Sequence, residues 1–279
     1  MIIDAFPYAN EELVLTIRLN ELAPVVDYFL IVESNRTQTG LPKPYYFEQS
    51  QAKFEKFLDK IVYIKLDHSY LNKVEEADWS QEFRVRQAIV SEGLVKINQI
   101  KALSNEDYII VSDCDEIPRA EVIKELTAKN TEYISINHYF NTYYFNLYSK
   151  FRDPWGWYGS VLLKLKYLTQ YEVQYIRNIK DKLPHTGNSG EGWHFSNILV
   201  NGFDSLYSKW INNIEPHDKS CLKDKELLNK QFNKCLYEDD HFFYCDMPNK
   251  RDIPLLKLDD SLLPKYIIDN QEIFKNLLC

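Results

Sequence analysis

At 279 residues, with 45% hydrophobic and 27% charged residues, the chain can bury a substantial core and has the composition of a globular protein. A formal charge of −8 argues against a general nucleic-acid binder and against electrostatic adhesion to anionic lipid. No apolar run approaches the roughly eighteen residues needed to cross a bilayer, and the five cysteines (Cys114, Cys221, Cys235, Cys245, Cys279) lack the Cys-x-x-Cys spacing of a zinc knuckle and form an odd, scattered set that suggests no disulfide framework.

The chain opens on Met1 to Phe6, which reads as a first strand, and Asn10-Glu11-Glu12 starts a helix over Leu13 to Leu22. These opening residues show neither a basic n-region nor a long apolar h-region, so the chain is expected to work in a cytosol, bacterial or that of a virus-infected host, with no transmembrane segment. Val25 to Glu33 is apolar and β-branched enough for a buried strand and ends in the polar run Ser34-Asn35-Arg36-Thr37. A helix over Gln51 to Asp59, a strand over Ile61 to Leu66 and a long helix from Ser80 to Leu103 follow. Tyr108 to Val111 is the next strand, and Pro118 to Lys129 the next helix. Strands alternating with helices through the first 130 residues predict an α/β fold with a doubly wound, mainly parallel sheet.

The later half changes character. Tyr133 to Tyr148 reads as two strands, Arg152 to Gly159 as an aromatic loop and Ser160 to Leu165 as a strand. The turn-rich stretch from Lys180 to Gly192 is expected to be a mobile loop leading into Trp193-His194-Phe195-Ser196. Helices are predicted near Gly202 to Asn213, Lys223 to Leu236 and Pro264 to Leu278. One domain is the simplest organisation, residues 1–130 forming a nucleotide-binding half and 131–279 an acceptor-binding half.

The chemistry is expected where Asp113-Cys-Asp115-Glu116 follows an apolar strand. Carboxylates two apart on extended chain point the same way and can address one hard divalent cation, which neutralises a substrate diphosphate. The plainer alternative is that Asp115 or Glu116 caps the helix expected at Pro118, and the local residues do not choose between the two. Glu33, Ser34, Asn35 and Arg36 end a neighbouring strand, so a nucleotide lying across both strand ends would be met by this run, with Arg84 or Arg86 reaching its diphosphate. His194 is a third metal ligand if it is not a satisfied core histidine, with His217 in reserve. Trp155, Trp157 and Tyr158 form an acceptor wall if they are not simply a packed aromatic loop.

Five blocks of residues, in order, resemble glycosyltransferase family 17. They are Glu21-Leu22 through Val32-Glu33-Ser34-Asn35-Arg36-Thr37 to Gly40, with Pro42-Lys43-Pro44 and Tyr46-Phe47; Trp79 with Glu82 and Arg86-x-Ala88-Ile89; Ser112-Asp113-x-Asp115-Glu116-Ile117-Pro118; Gly192-Trp193-His194-Phe195-Ser196; and Pro264-Lys265-Tyr266 with Asp269-Asn270. The resemblance implies a GT-A-like fold, a UDP-sugar donor, Mn²⁺ or Mg²⁺ at Asp113 and Asp115, and transfer with inversion, and it favours His194 as a site residue. Animal members of the family carry a membrane anchor and work in the Golgi; this sequence shows none, so a glycan or polysaccharide acceptor other than a protein N-glycan is expected. The reading is thus a metal-dependent inverting glycosyltransferase moving N-acetylglucosamine from a UDP-sugar, with Glu116 and Glu191 as alternatives for the catalytic base. Its rivals are another metal-diphosphate enzyme, such as a nucleotidyltransferase or nucleotide-sugar hydrolase, and a non-catalytic carbohydrate-binding protein.

Overall fold

The computed structural model describes residues 1–70, 79–150, 156–187, 190–212, 222–239, 241, 243 and 253–279. The chain begins with β1 (Ile2–Pro7), α1 (Glu12–Leu22) and β2 (Tyr28–Ser34), then α2 (Tyr46–Ser50) running into a 3-10 helix (Gln51–Lys60), and β3 (Ile61–Leu66). Next come α3 (Ser80–Ala88), a π-helical turn (Ile89–Leu94) and α4 (Val95–Ile100), then β4 (Tyr108–Val111), β5 (Glu116–Pro118) and α5 (Ala120–Ala128). The second half holds β6 (Tyr133–Thr142), β7 (Leu147–Ser149), β8 (Trp157–Lys164), α6 (Val173–Asn178), β9 (Gly192–Ser196), β10 (Val200–Gly202), α7 (Phe203–Asn212), α8 (Lys225–Tyr237), β11 (Leu255–Lys257), α9 (Lys265–Asp269) and α10 (Gln271–Phe274).

The sheet runs β11-β7-β6-β8-β4-β1-β2-β3, with β5 and β9 attached beside β6. Strands β3, β2, β1 and β4 are parallel, and β8 joins β4 antiparallel. This is the doubly wound mixed sheet expected from the sequence. Its parallel strands are apolar throughout because alternate residues feed opposite cores. Phe29 and Ile31 of β2 pack on one face with Leu15 and Leu19 of α1, while Leu30 and Val32 pack on the other with Ile89 and Ile97 of the α3–α4 helix. In β4, Ile110 joins the first core and Ile109 and Val111 the second. Each such side chain contributes ~1.5–3 kcal/mol by leaving water.

Two irregularities shape the second half. Ile136 pairs with Ser160 and Asn137 with Tyr158, so Gly159 is the extra residue of a bulge in β8. Beyond it β6 changes partner: Tyr133 to His138 lie against β8, and Tyr139 to Thr142 lie parallel to β9.

Several local expectations are corrected. Pro118 closes the three-residue strand β5 instead of opening a helix, because Glu116 to Pro118 pair with Gly192 to His194. The helix starts at Ala120, whose amide donates to Glu21 Oε1 at 3.0 Å, so its cap comes from α1 and not from Asp115 or Glu116. The Gln51–Lys60 segment is 3-10 helix, and the C-terminal helix is broken at Asn270, which separates α9 from α10. Among the described residues no helix is long and apolar enough to cross a membrane.

Candidate active site

Parallel strands β1, β2 and β4 end on one edge of the sheet, where a doubly wound fold offers its ligand crevice. There the Asp113–Glu116 turn is built around arginine. Arg18, on α1 and completely buried, donates to both oxygens of Asp4, at 2.7 and 2.5 Å, and to Ser112 Oγ at 2.6 Å. Its remaining nitrogen reaches three backbone carbonyls of this one turn, those of Asp113 (2.9 Å), Cys114 (3.2 Å) and Glu116 (2.8 Å). Carbonyls that would otherwise be stranded in the core are thereby satisfied, and the turn is pinned to α1.

Glu116 is the second anchor. Its Oε2 accepts from the Asp113 amide at 2.8 Å and pairs with Arg177 NH1 at 2.7 Å. Its Oε1 accepts from Trp157 Nε1 (2.9 Å) and Arg177 NH2 (3.1 Å), with Lys180 Nζ at 3.4 Å. Burial alone would raise its pKa, but Arg177 and Lys180 outweigh burial and hold the carboxyl well below the ordinary glutamate range. With both oxygens engaged and the side chain sealed from solvent, Glu116 is an anchor, which corrects its expected role as catalytic base.

Asp113 and Asp115 emerge from this turn with different partners. Arg86 NH2 meets Asp113 Oδ1 at 2.6 Å and Arg177 NH2 meets Oδ2 at 2.8 Å. Burial raises the Asp113 pKa, yet Arg177 and Arg86 overcome it and the net shift is downward. Among the described residues the Asp115 carboxylate has only long ionic contacts, 3.6 Å to His194 Nε2 and 3.6 Å to Lys209 Nζ on α7. Burial again works upward, and His194 with Lys209 brings the Asp115 pKa below its usual value. Phe195 N donates to the Asp115 carbonyl at 2.8 Å, which ties this end of the turn to β9.

The β5–β9 ladder sets Glu116 opposite His194, and the His194 ring stacks on Trp157 with centroids 4.5 Å apart. Among the described residues, buried His194 Nδ1 has no hydrogen-bond partner. A long-contacted carboxylate beside an imidazole is a donor set suited to a divalent ion that draws further ligands from a substrate. Among the described residues no group of three His, Cys, Asp or Glu forms a metal-holding cluster.

Other expected site residues are distributed as follows. Glu33 is fully buried and accepts from Lys43 Nζ, the amides of Tyr46 and Phe47, and Tyr63 Oη, so it clamps α2 to the sheet and is not open to a nucleotide. Ser34 Oγ accepts from Gln81 Nε2 at 2.9 Å and lies 3.1 Å from His68 Nδ1. Asn35 donates to Asp67 at 2.8 Å and Arg36 to the Ser69 carbonyl at 2.8 Å, so both hold the loop after β3 at the crevice rim. Arg84 is exposed, 3.5 Å from Tyr70 Oη and turned from the aspartates, whereas Arg86 two residues on is buried against Asp113.

Trp157 faces the site, but Tyr158, next along the strand, packs against His185 with centroids 4.9 Å apart and is 7% exposed, which removes it from an acceptor wall. Trp155 and His217 lie outside the described residues. Glu191 precedes β9 beyond the Pro118–Gly192 pair, three residues or about 10 Å along the strand from His194. Burial raises its pKa, but the ladder carries it away from the aspartates. Of the Lys180–Gly192 stretch, Asn188 and Ser189 are outside the described residues; Lys180 enters the site, over the Trp157 ring at 4.7 Å, and Arg119 Nε holds the Gly190 carbonyl at 2.7 Å.

Sequence reasoning missed Arg18, Arg177, Lys180 and His138. His138, on β6, is completely buried between Gly159 and Gly192, and neither ring nitrogen has a hydrogen-bond partner among the described residues. Burial lowers its pKa to about 3.

A model of glycosyltransferase family 17 matches residues 1–205. The chain is 31% identical over 119 residues to the β-1,4-mannosyl-glycoprotein 4-β-N-acetylglucosaminyltransferase of Homo sapiens, covering 42% of this chain and 22% of that protein. The Rattus norvegicus protein of the same name gives 31% over 119 residues, covering 42% and 21%. The match therefore spans about a fifth of those relatives' length. Among solved structures, glucosyl-3-phosphoglycerate synthase from Mycobacterium tuberculosis is similar at 10% identity and TM-score 0.38, covering 76% of this chain and 77% of that one. 4-Diphosphocytidyl-2C-methyl-D-erythritol synthase is similar at 15% identity and TM-score 0.37, covering 66% and 87%. With the family model matching nearly three quarters of its length, the chain belongs to glycosyltransferase family 17.

Proposed function

We propose that the protein transfers a sugar, N-acetylglucosamine, from a UDP-sugar to a glycan or polysaccharide acceptor, with inversion at the anomeric carbon. The observation that carries this reading is the pair Asp113 and Asp115 held at the carboxyl edge of the sheet with Arg86 and Arg177 beside them. Guanidinium groups match diphosphate oxygens bidentately, and they lie here next to carboxylates suited to a divalent cation. Asp115 and His194 would hold Mn²⁺ or Mg²⁺, with Asp113 joining them. When bound, the ion supplies charge stabilisation to the departing diphosphate.

The protein's own residues supply the rest. Arg86 and Arg177 bind the diphosphate and oppose the charge that grows on it, Arg18 and Glu116 keep the aspartates from relaxing, and Trp157 offers a ring face to a sugar. Asn35 and Arg36 stand at the rim where the nucleoside would lie. Residues 1–130 accordingly serve the donor, while the acceptor is met by the later half, which also lends Arg177 and Lys180 to the donor site.

Incubation with UDP-sugars and Mn²⁺, with and without an array of glycans, tests the proposal. Transfer of N-acetylglucosamine that stops in EDTA is expected. Donor breakdown at the rate of a dedicated enzyme, not the slow leak common to transferases, would assign a nucleotide-sugar hydrolase, and glycan binding with no turnover would assign a carbohydrate-binding protein.

A further inference from the structure

We infer that Arg86 and Arg177 compete with the divalent cation for Asp113 and release it only to a diphosphate, so that ion and nucleotide enter this site as a coupled pair. The inference rests on the diphosphate reading above.

Both Asp113 oxygens are occupied, Oδ1 by Arg86 NH2 at 2.6 Å and Oδ2 by Arg177 NH2 at 2.8 Å. The carboxylate is 35% exposed, so these pairs border the crevice. A divalent cation arriving alone must displace at least one guanidinium and leave it partly buried, facing the incoming charge and without an anion. Asp115 lacks this guard, since its nearest basic groups stand at 3.6 Å. The site is thus asymmetric, one carboxylate loosely contacted and one clamped on both oxygens.

The arginines are also equipped to change partners. Each keeps an anchor when Asp113 is given up: Arg86 on Glu82 and on Gln174 Oε1 at 2.8 Å, Arg177 on Glu116 and on the Gly159 carbonyl that the β8 bulge frees. Buried Arg86 Nε has no hydrogen-bond partner among the described residues, a donor to spare on the group that would swing. A diphosphate brings several anionic oxygens, takes both guanidiniums and frees Asp113 for the ion. Because binding linkage is reciprocal, the ion raises nucleotide affinity by the factor that nucleotide raises ion affinity.

Calorimetry on the full chain tests this with Mn²⁺ alone, UDP alone, and Mn²⁺ in saturating UDP. We expect Mn²⁺ to bind about tenfold or more tightly with UDP present, and pyrophosphate, but not uridine, to reproduce the gain. The discriminating variant is Arg86→Gln, which removes a competitor: it should tighten Mn²⁺ binding in the absence of nucleotide severalfold while weakening UDP. Arg86→Lys, which keeps the charge but loses the fork, should fall between and guards against a folding defect in the first variant. Mn²⁺ binding that is equal with and without UDP, or that weakens in both variants without nucleotide, overturns the inference and leaves the transferase proposal intact. Failure of UDP to bind under any condition overturns the nucleotide reading and this inference with it.

Discussion

Glu116 draws its hydrogen bonds from three different parts of the chain, the Asp113 amide, Trp157 of β8 and Arg177 of α6, and it does so with no exposure to solvent. Replacing it by Gln would take the carboxylate from buried Lys180 and leave Arg177 with Asp113 alone, and a loss of about 3–5 kcal/mol in urea unfolding is expected. Its acid sensitivity has a defined sign. The folded-state pKa lies below the unfolded value near 4.5, so its stabilisation is complete above that value and is lost as the pH falls through the folded pKa; Glu116→Gln should flatten the acid limb of the stability profile. His138 acts in a higher window. Unfolded chain takes up its proton below about pH 6.5, while the buried ring resists protonation until about 3, so stability drains away as the pH falls between those values. His138→Phe should remove that drain, raising the melting temperature at about pH 5 more than at neutral pH. Equal shifts at both would show that the ring is protonated as easily in the fold as outside it. Asp115→Ala, by contrast, should leave the melting temperature of the unliganded protein near its original value and abolish Mn²⁺-dependent UDP binding, because among the described residues this carboxylate has only long ionic contacts to lose.

At the scale of elements, β6, β8 and β9 meet around the His138 ring. A Cβ built on Gly159 would come within 2.5 Å of His138 Nδ1, and one on Gly192 within 2.6 Å of both the ring and the Ile117 carbonyl. Gly159→Ala and Gly192→Ala should therefore each cost about 1–3 kcal/mol. Combining Gly159→Ala with His138→Ala should recover much of that loss, whereas Gly192→Ala, which also meets backbone, should not be rescued. A simple sum of the single-variant losses in the first pair would mean that the ring is not what Gly159 accommodates. These contacts also explain which elements the sequence reveals. Strands β1, β2 and β4 are legible because burial on both faces leaves continuous β-branched runs such as Leu30-Ile31-Val32 and Ile109-Ile110-Val111. Strand β5 is not, since Glu116-Ile117-Pro118 has the residues of a helix start and becomes a strand only through its pairing with β9. The aspartates announce themselves by their spacing. Arg177 and Lys180 carry no local signal at all, because a basic residue on a short helix or turn ordinarily faces water and only tertiary structure brings these two to Glu116.

Across the whole molecule, the family-matched segment supplies nearly all the groups that position one turn, and the later chain adds Lys209. The sheet edge provides Asp113 and Asp115, α1 provides Arg18, α3 provides Arg86, α6 provides Arg177 and α7 provides Lys209. Such a site should respond globally to its ligands: saturating UDP with Mn²⁺ should raise the melting temperature in proportion to the logarithm of nucleotide concentration, and either component alone should raise it less. An unchanged melting temperature with both present would mean that the turn is not where they bind.

Arg18 has a further consequence, in the currency of hydrogen exchange. Because its guanidinium joins β1 through Asp4 to three carbonyls of the Asp113–Glu116 turn, that turn cannot open locally without exposing a buried ion pair. Surface turns ordinarily exchange their amide protons within minutes through small fluctuations. Here the amides of Asp113, Glu116 and Phe195, all bonded within or onto the turn, belong to the same cooperative unit as the core strands and should exchange only when the molecule unfolds as a whole.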